Sequence, residues 1–235
     1  RNGTASCDAG GARARARLVS MALRHPVAEA MLAQLFPPGV AVAAVGPSGD
    51  NGTIFPEERV AVAGAVPGRV AEFAAGRLAA RLAMASLGVP PVSVPSGPGR
   101  APVWPNGLSG SIAHAAGLAV AAVRRGMPLG LDIEVGAAIE PDLWDLICDP
   151  GELAALPVAD RGRAVRLVFS AKEAIYKAQY PLTGMLIGFD AVRVALGPDS
   201  FVARFRKAVG PLPEGHEMHG RIVRAGGMIL TGVAV

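Results

Sequence analysis

The sequence predicts an α+β protein built as two halves that meet near residue 127. Three observations carry this. Only two segments read as long helices, Arg69 to Leu87 and Gly162 to Gln179. The strand-like segments gather in the middle and at the C-terminal end instead of alternating with helices, which argues against a βαβ architecture. Glycine (30) and proline (20) are abundant without any Gly-x-y period, as in a chain with many turns.

Taken in order, Glu29 to Phe36 reads as a short helix ended by Pro37-Pro38-Gly39, and Val40 to Val45 as a buried strand. Gly46 to Gly52 is a turn-rich loop. Gly88 and Pro90 stop the first long helix. Pro90 to Gly110 is Pro/Gly/Ser punctuation around Val103-Trp104. Leu118 to Val123 and Leu129 to Val135 read as strands joined across Arg124-Arg125-Gly126. Asp149-Pro150-Gly151-Glu152 has the spacing of a capping box and opens a short helix that ends before Pro157. The second long helix closes at Tyr180-Pro181. Strands then follow at Phe189 to Val194, Phe201 to Phe205, Arg221 to Val223 and Met228 to Val235.

Composition narrows the function classes. At 51% hydrophobic and 18% charged residues the chain of 235 is globular, and it is long enough for a full core. Its unbroken aliphatic runs, such as Leu118 to Val123, fall far short of the ~20 residues that span a bilayer. Arg13, Arg15 and Arg17 ahead of Leu18 to Leu23 have a faint signal-peptide pattern, but the apolar part is short and broken by Ser20. The expectation is a cytoplasmic protein without membrane contact. Cys7 and Cys148 are too few for a disulfide scaffold or a four-ligand zinc site. The charge is +4 with a pI near 9.6, yet the arginines are scattered and aromatics are only 5%. That leaves little stacking surface for nucleic acid, and the basic balance reflects either composition or an acidic or phosphorylated partner.

Four segments carry chemistry. In the strand Gly130-Leu131-Asp132-Ile133-Glu134-Val135, alternation puts Leu131, Ile133 and Val135 on a buried face and both carboxylates on the other. The pair is either a solvated edge or an oxygen-ligand set for Mg²⁺. In Phe169-Ser170-Ala171-Lys172-Glu173-Ala174-Ile175-Tyr176-Lys177, Glu173 and Lys177 share a helix face. Either they form a surface ion pair, or the concentration there of two of the chain's three lysines marks a need for compact ammonium groups. In the first long helix, Arg77 and Arg81 fall within the arc of Val70, Phe73, Ala74, Leu78, Met84 and Ala85. A guanidinium aimed inward needs an anion, whether a structural carboxylate or a phosphate. Trp104 to His114 offers glycines through which backbone N–H groups could approach an anion, with Ser111 and His114 as side-chain donors. A structural histidine is the alternative, and no Walker loop or G-x-G-x-x-G accompanies it.

In order along the chain these segments are Arg-x-x-Glu-Phe-x-x-Gly-Arg-x-x-Ala-Arg at Arg69 to Arg81, Arg-x-Pro-x-Trp-Pro at Arg100 to Pro105 and Gly-Ser-Ile-x-His at Gly110 to His114. Gly-x-Asp-x-Glu at Gly130 to Glu134 and Phe-Ser-x-Lys-Glu-x-x-x-Lys at Phe169 to Lys177 complete the set. The series resembles the 4′-phosphopantetheinyl transferases of the monomeric, two-halved type that activates siderophore, polyketide and nonribosomal-peptide synthases. The resemblance implies two pseudo-symmetric α/β halves with the active site between them. Residues 1–127 would carry the coenzyme A elements, and residues 128–235 the metal and catalytic motifs.

The implied reaction moves phosphopantetheine from coenzyme A to a serine of an acidic apo acyl or peptidyl carrier protein, releasing adenosine 3′,5′-bisphosphate. By the same resemblance Asp132, Glu134 and Glu173 hold Mg²⁺, Glu173 takes the serine proton, and Lys177 neutralises developing charge. Arg69, Arg77, Arg100, Ser111, His114 and Lys172 are the implied coenzyme ligands. Ala113 stands where the family usually has Ser or Thr, which removes a hydroxyl donor. Two other readings share these residues: another Mg²⁺-dependent phosphoryl transferase, and a non-catalytic regulator that binds coenzyme A or the carrier.

Overall fold

The computed structural model describes residues 24–46 and 54–235. The Arg13–Leu23 segment, Cys7 and most of the Gly46–Gly52 loop lie outside them. Chain order is α1 (Pro26–Ala33), β1 (Ala41–Val45), α2 (Pro67–Ser86), β2 (Leu108–Ala115), β3 (Leu118–Arg125) and β4 (Leu129–Val135). Then come α3 (Trp144–Ile147), α4 (Pro150–Ala155), α5 (Arg161–Thr183), β5 (Val192–Leu196), β6 (Ser200–Phe205), β7 (Glu217–Ala225) and β8 (Met228–Ala234). A 3-10 helix, Pro56–Val62, precedes α2. Helices α1, α2 and α4 open on proline, whose fixed φ and missing N–H suit the first turn.

The strands form two antiparallel sheets, one in the order β1-β3-β2 and the other β4-β8-β7-β6-β5. β3 is buried on both faces. Ala119, Ala121 and Val123 meet Ala75, Ala79, Ala80 and Ala83 of α2, while Val120 and Ala122 meet Leu32 and Leu35 from the α1 side. That is why it reads as a continuous apolar run. The same cluster takes in Leu129, Leu131 and Ile133 of β4, so one core spans both sheets. On the far side, Val165, Val168, Ala171, Ile175 and Ala178 of α5 pack on Phe201, Phe205, Ile222 and Val233.

Several expectations need correction. β2 reads as a loop because Ser109, Gly110 and Ser111 are poor strand formers, yet it pairs with β3 along its whole length. Gly110 is there for packing: a Cβ would lie 2.6 Å from the Trp104 ring and 2.8 Å from the Ala122 carbonyl oxygen. α1 starts earlier than expected because the His25 ring Nδ1 accepts from Ala28 N–H as an N-cap outside the usual set. Val135 is exposed, not buried with Leu131 and Ile133. α5 runs through Pro181 to Thr183, since proline in a last turn forfeits only one bond, and Gly184 (φ 63°) closes the helix onto the Tyr180 carbonyl. The capping box at Asp149 and Glu152 forms as its spacing predicts. No helix among the described residues is long and apolar enough to cross a membrane.

Among the described glycines, the closest approach joins α5 to β4. A Cβ built on Gly130 would lie 1.8 Å from the Ala174 carbonyl oxygen, so helix and strand backbones touch there. Backbone on both sides cannot yield as a side chain would. Gly130→Ala is therefore expected to cost about 3 kcal/mol or more in urea unfolding, at or beyond the upper end for overpacking.

Candidate active site

Asp132, on β4 and only 5% exposed, faces α5. Its Oδ1 lies 2.7 Å from Lys177 Nζ, and its Oδ2 accepts from the Ser170 hydroxyl at 2.9 Å. Lys177 also donates to the Leu131 carbonyl at 3.0 Å. Two residues along the strand, Glu134 pairs with Arg166 at 3.0 Å. Glu173 is half-buried and makes no hydrogen bond or ion pair among the described residues. Burial pushes its carboxyl above the ordinary range; Lys177 opposes that shift and Asp132 adds to it. Glu134 is raised by burial and by Asp132, against Arg166 and Lys177. Asp132 thus sits between two carboxylates and repels both.

These are hard oxygen donors of the kind Mg²⁺ takes, and a cation would relieve that repulsion. Among the described residues no three such groups form a finished ligand cluster, because Asp132 and Glu134 are turned toward Lys177 and Arg166. The donor chemistry fits the ion.

A cleft of about 390 Å³ in the first half is lined by Arg69, Arg77, Arg100 and His114, with Glu72 and Ser96. Arg69 Nη1 lies 2.9 Å from His114 Nε2 and 3.3 Å from Glu72. Arg77 is 6% exposed, stacks 4.1 Å over the Phe73 ring and donates to Ser96 Oγ at 3.0 Å. Its buried Nε has no hydrogen-bond partner among the described residues. Burial lowers its pKa to about 10; Glu58 opposes the shift, and Arg81 and Arg69 deepen it. The two inward arginines therefore part company. Arg81 meets both Glu58 oxygens, at 2.8 and 3.1 Å, and Glu58 also accepts from Val94 and Phe55 N–H. Arg77 has only a hydroxyl and a cleft.

Two family models match the chain, the 4′-phosphopantetheinyl transferase N-terminal domain over residues 57–124 and the 4′-phosphopantetheinyl transferase superfamily over residues 128–214. Among characterised relatives, the 4′-phosphopantetheinyl transferase Svp of Streptomyces mobaraensis is 39% identical over 77% of this chain and 78% of its own. Npt of Nocardia iowensis is 33% identical over 87% and 99%, and PptT of Mycobacterium tuberculosis 34% over 78% and 86%. The chain belongs to the 4′-phosphopantetheinyl transferase superfamily. It is a phosphopantetheinyl transferase with an α+β fold of two sheets.

Two residues expected to bind coenzyme have their hydrogen bonds taken up within the protein, although Ser111 also lines a cavity that reaches Lys177. Ser111 is buried where the sheets meet; its hydroxyl accepts from Leu131 N–H at 3.0 Å and donates to Leu131 O at 3.4 Å, so it is spent on β4. Lys172 is buried with all three protons placed, on Glu152 Oε2 (2.8 Å), Ile147 O (2.8 Å) and Phe189 O (2.9 Å). Ala113 packs in the core that both sheets share. Conversely, Arg166 and Ser170 were missed. Arg166, Ser170, Glu173 and Lys177 follow i, i+4, i+7 and i+11, one helical face, so periodicity could have found them.

The two lysines of this motif should separate cleanly. Lys172→Met leaves Glu152 buried and unpaired, at an expected cost of about 3–5 kcal/mol in denaturant unfolding. Lys177 is partly exposed, and Lys177→Met leaves Asp132 with the Ser170 hydroxyl but without its ammonium, so it should cost less stability than Lys172→Met while removing activity.

Proposed function

We propose that this transferase binds coenzyme A by its phosphates in the Arg69–Arg77–Arg100–His114 cleft and delivers phosphopantetheine to a serine of an apo carrier protein beside Glu173 and Lys177. The observation that carries the reading is Arg77, a buried cation whose Nε has no hydrogen-bond partner among the described residues and whose guanidinium faces a cleft lined by two further arginines and a histidine. Arginine forks match phosphate oxygens, and burial strengthens the attraction. Arg100, Pro102 and Ile112 also line a second cavity of about 210 Å³ that reaches Lys177. A bound coenzyme can therefore run from the cationic cleft to Lys177, the ion-pair partner of Asp132.

Asp132, Glu134 and Glu173 would hold Mg²⁺, which supplies charge neutralisation at the pyrophosphate when bound. Metal binding there competes with the Lys177 and Arg166 ion pairs. Lys177 offers positive charge to the leaving side. Glu173, without a protein partner and raised by burial, accepts the serine proton. The basic balance of the chain suits an acidic carrier protein.

Intact-mass analysis of apo carrier proteins incubated with the enzyme, coenzyme A and Mg²⁺ tests the reading. The carrier should gain one phosphopantetheine, and EDTA should prevent it. An unchanged mass with every acyl and peptidyl carrier tried would overturn the carrier assignment. Glu173→Gln should cut turnover at least about 10²-fold, the low end for a positioned general base, with little change in melting temperature. Arg77→Gln should weaken coenzyme A and 3′-dephospho-coenzyme A unequally, because one guanidinium serves one phosphate. Equal losses together with a large fall in melting temperature would make Arg77 structural.

A further inference from the structure

Residues Ser96 to Pro102 form a tight loop. Ser96 and Pro102 bridge its base, and Gly97 N–H donates to Ala101 O at 2.8 Å. At its tip Gly99 and Arg100 are both left-handed, at φ 62° and 63°. Glycine takes that conformation freely; arginine takes it at a cost in free energy, so something else must hold it. Among the described residues only Arg100 and Ala116 are non-glycine positions with positive φ.

What meets the tip comes from the other half of the molecule. The Tyr180 hydroxyl, on the last turns of α5, donates to the Pro98 carbonyl at 3.3 Å. A Cβ on Gly99 would lie 2.9 Å from the same hydroxyl oxygen and 3.8 Å from Leu186 Cδ2, so the tip lies flat against Tyr180. Tyr180 itself packs against Tyr176, with ring centroids 5.9 Å apart. The loop carries two groups of the cationic cleft: Ser96, which holds Arg77, and Arg100, which lines both the cleft and the neighbouring cavity. Tyr180 lines that cavity but not the cleft.

We propose that Tyr180 is a positioning residue for coenzyme binding: its hydroxyl, reaching from α5 to the Pro98 carbonyl, docks the Ser96–Pro102 loop and so sets Arg100 at the edge of the phosphate cleft. This rests on the reading of that cleft as the coenzyme A phosphate site. Coenzyme recognition in the first half then depends on a side chain of the catalytic helix in the second, and the cleft is complete only when loop and helix are in contact.

The test is a double-mutant cycle of Tyr180→Phe and Arg100→Ala, read by calorimetric binding of coenzyme A and by KM and kcat for carrier modification. Tyr180→Phe removes one partly exposed hydroxyl, and thermal melts check that each variant is folded. The expected result is that Tyr180→Phe weakens coenzyme A about three- to tenfold, the scale of one hydrogen bond, and raises its KM with kcat nearly unchanged. Arg100→Ala weakens coenzyme A at least as much, and the double variant is no weaker than Arg100→Ala alone. If Arg100→Ala weakens binding and Tyr180→Phe does not, or if the two losses simply multiply, the positioning role is overturned while the cleft stands. If Arg100→Ala leaves coenzyme A binding unchanged, the role of Arg100 in the cleft is wrong, and the positioning role falls with it.

Discussion

The close approach of α5 to β4 at Gly130 is the constraint on which the site depends. With no side chain at that position, the helix backbone rests on the strand, and Asp132 comes within reach of Ser170 and Lys177. A carboxylate that is 5% exposed is tolerable only because a hydroxyl and an ammonium meet it. The Gly-x-Asp-x-Glu spacing is thus one mechanical unit, in which the glycine sets the depth at which the acids sit.

Buried charge is used in two ways in this protein. Glu58–Arg81 and Glu152–Lys172 are closed networks: each carboxylate also accepts backbone N–H groups, from Val94 and Phe55 in one case and Asp149 and Val194 in the other. Such pairs fix segments to helices and are expensive to break. Arg77, Glu173 and Lys177 are incompletely matched by the protein. Charges left short of partners beside cavities are what the proposed coenzyme and metal roles rest on.

Much of this was legible in the sequence. Helical periodicity put Arg77 and Arg81 inward, and both are buried. What it could not say is which of them has a carboxylate, because Glu58 comes from a 3-10 turn with no pattern to announce it. The acidic strand was found from alternation, which left open whether its polar face is solvated; the packing of α5 buries Asp132, while Val135, at the strand's end, is exposed and not buried as alternation predicts. β2 was missed because its glycine and serines serve packing and cross-sheet bonding instead of chain reversal. Lys172 and Ser111 carry the same chemistry on paper as the other candidate ligands. Only the burial of their partners shows that their hydrogen-bonding capacity is already spent.

That use of Ser111 has a consequence for how the two sheets are joined. β2 and β4 are both edge strands, and no backbone ladder runs between them. The outward amide of Leu131, one residue before Asp132, is satisfied by a hydroxyl from the opposite half. Its hydrogen exchange therefore reports separation of the halves even while each stays folded. The molecule carries, next to its buried acid, a native spectroscopic marker for opening of the seam.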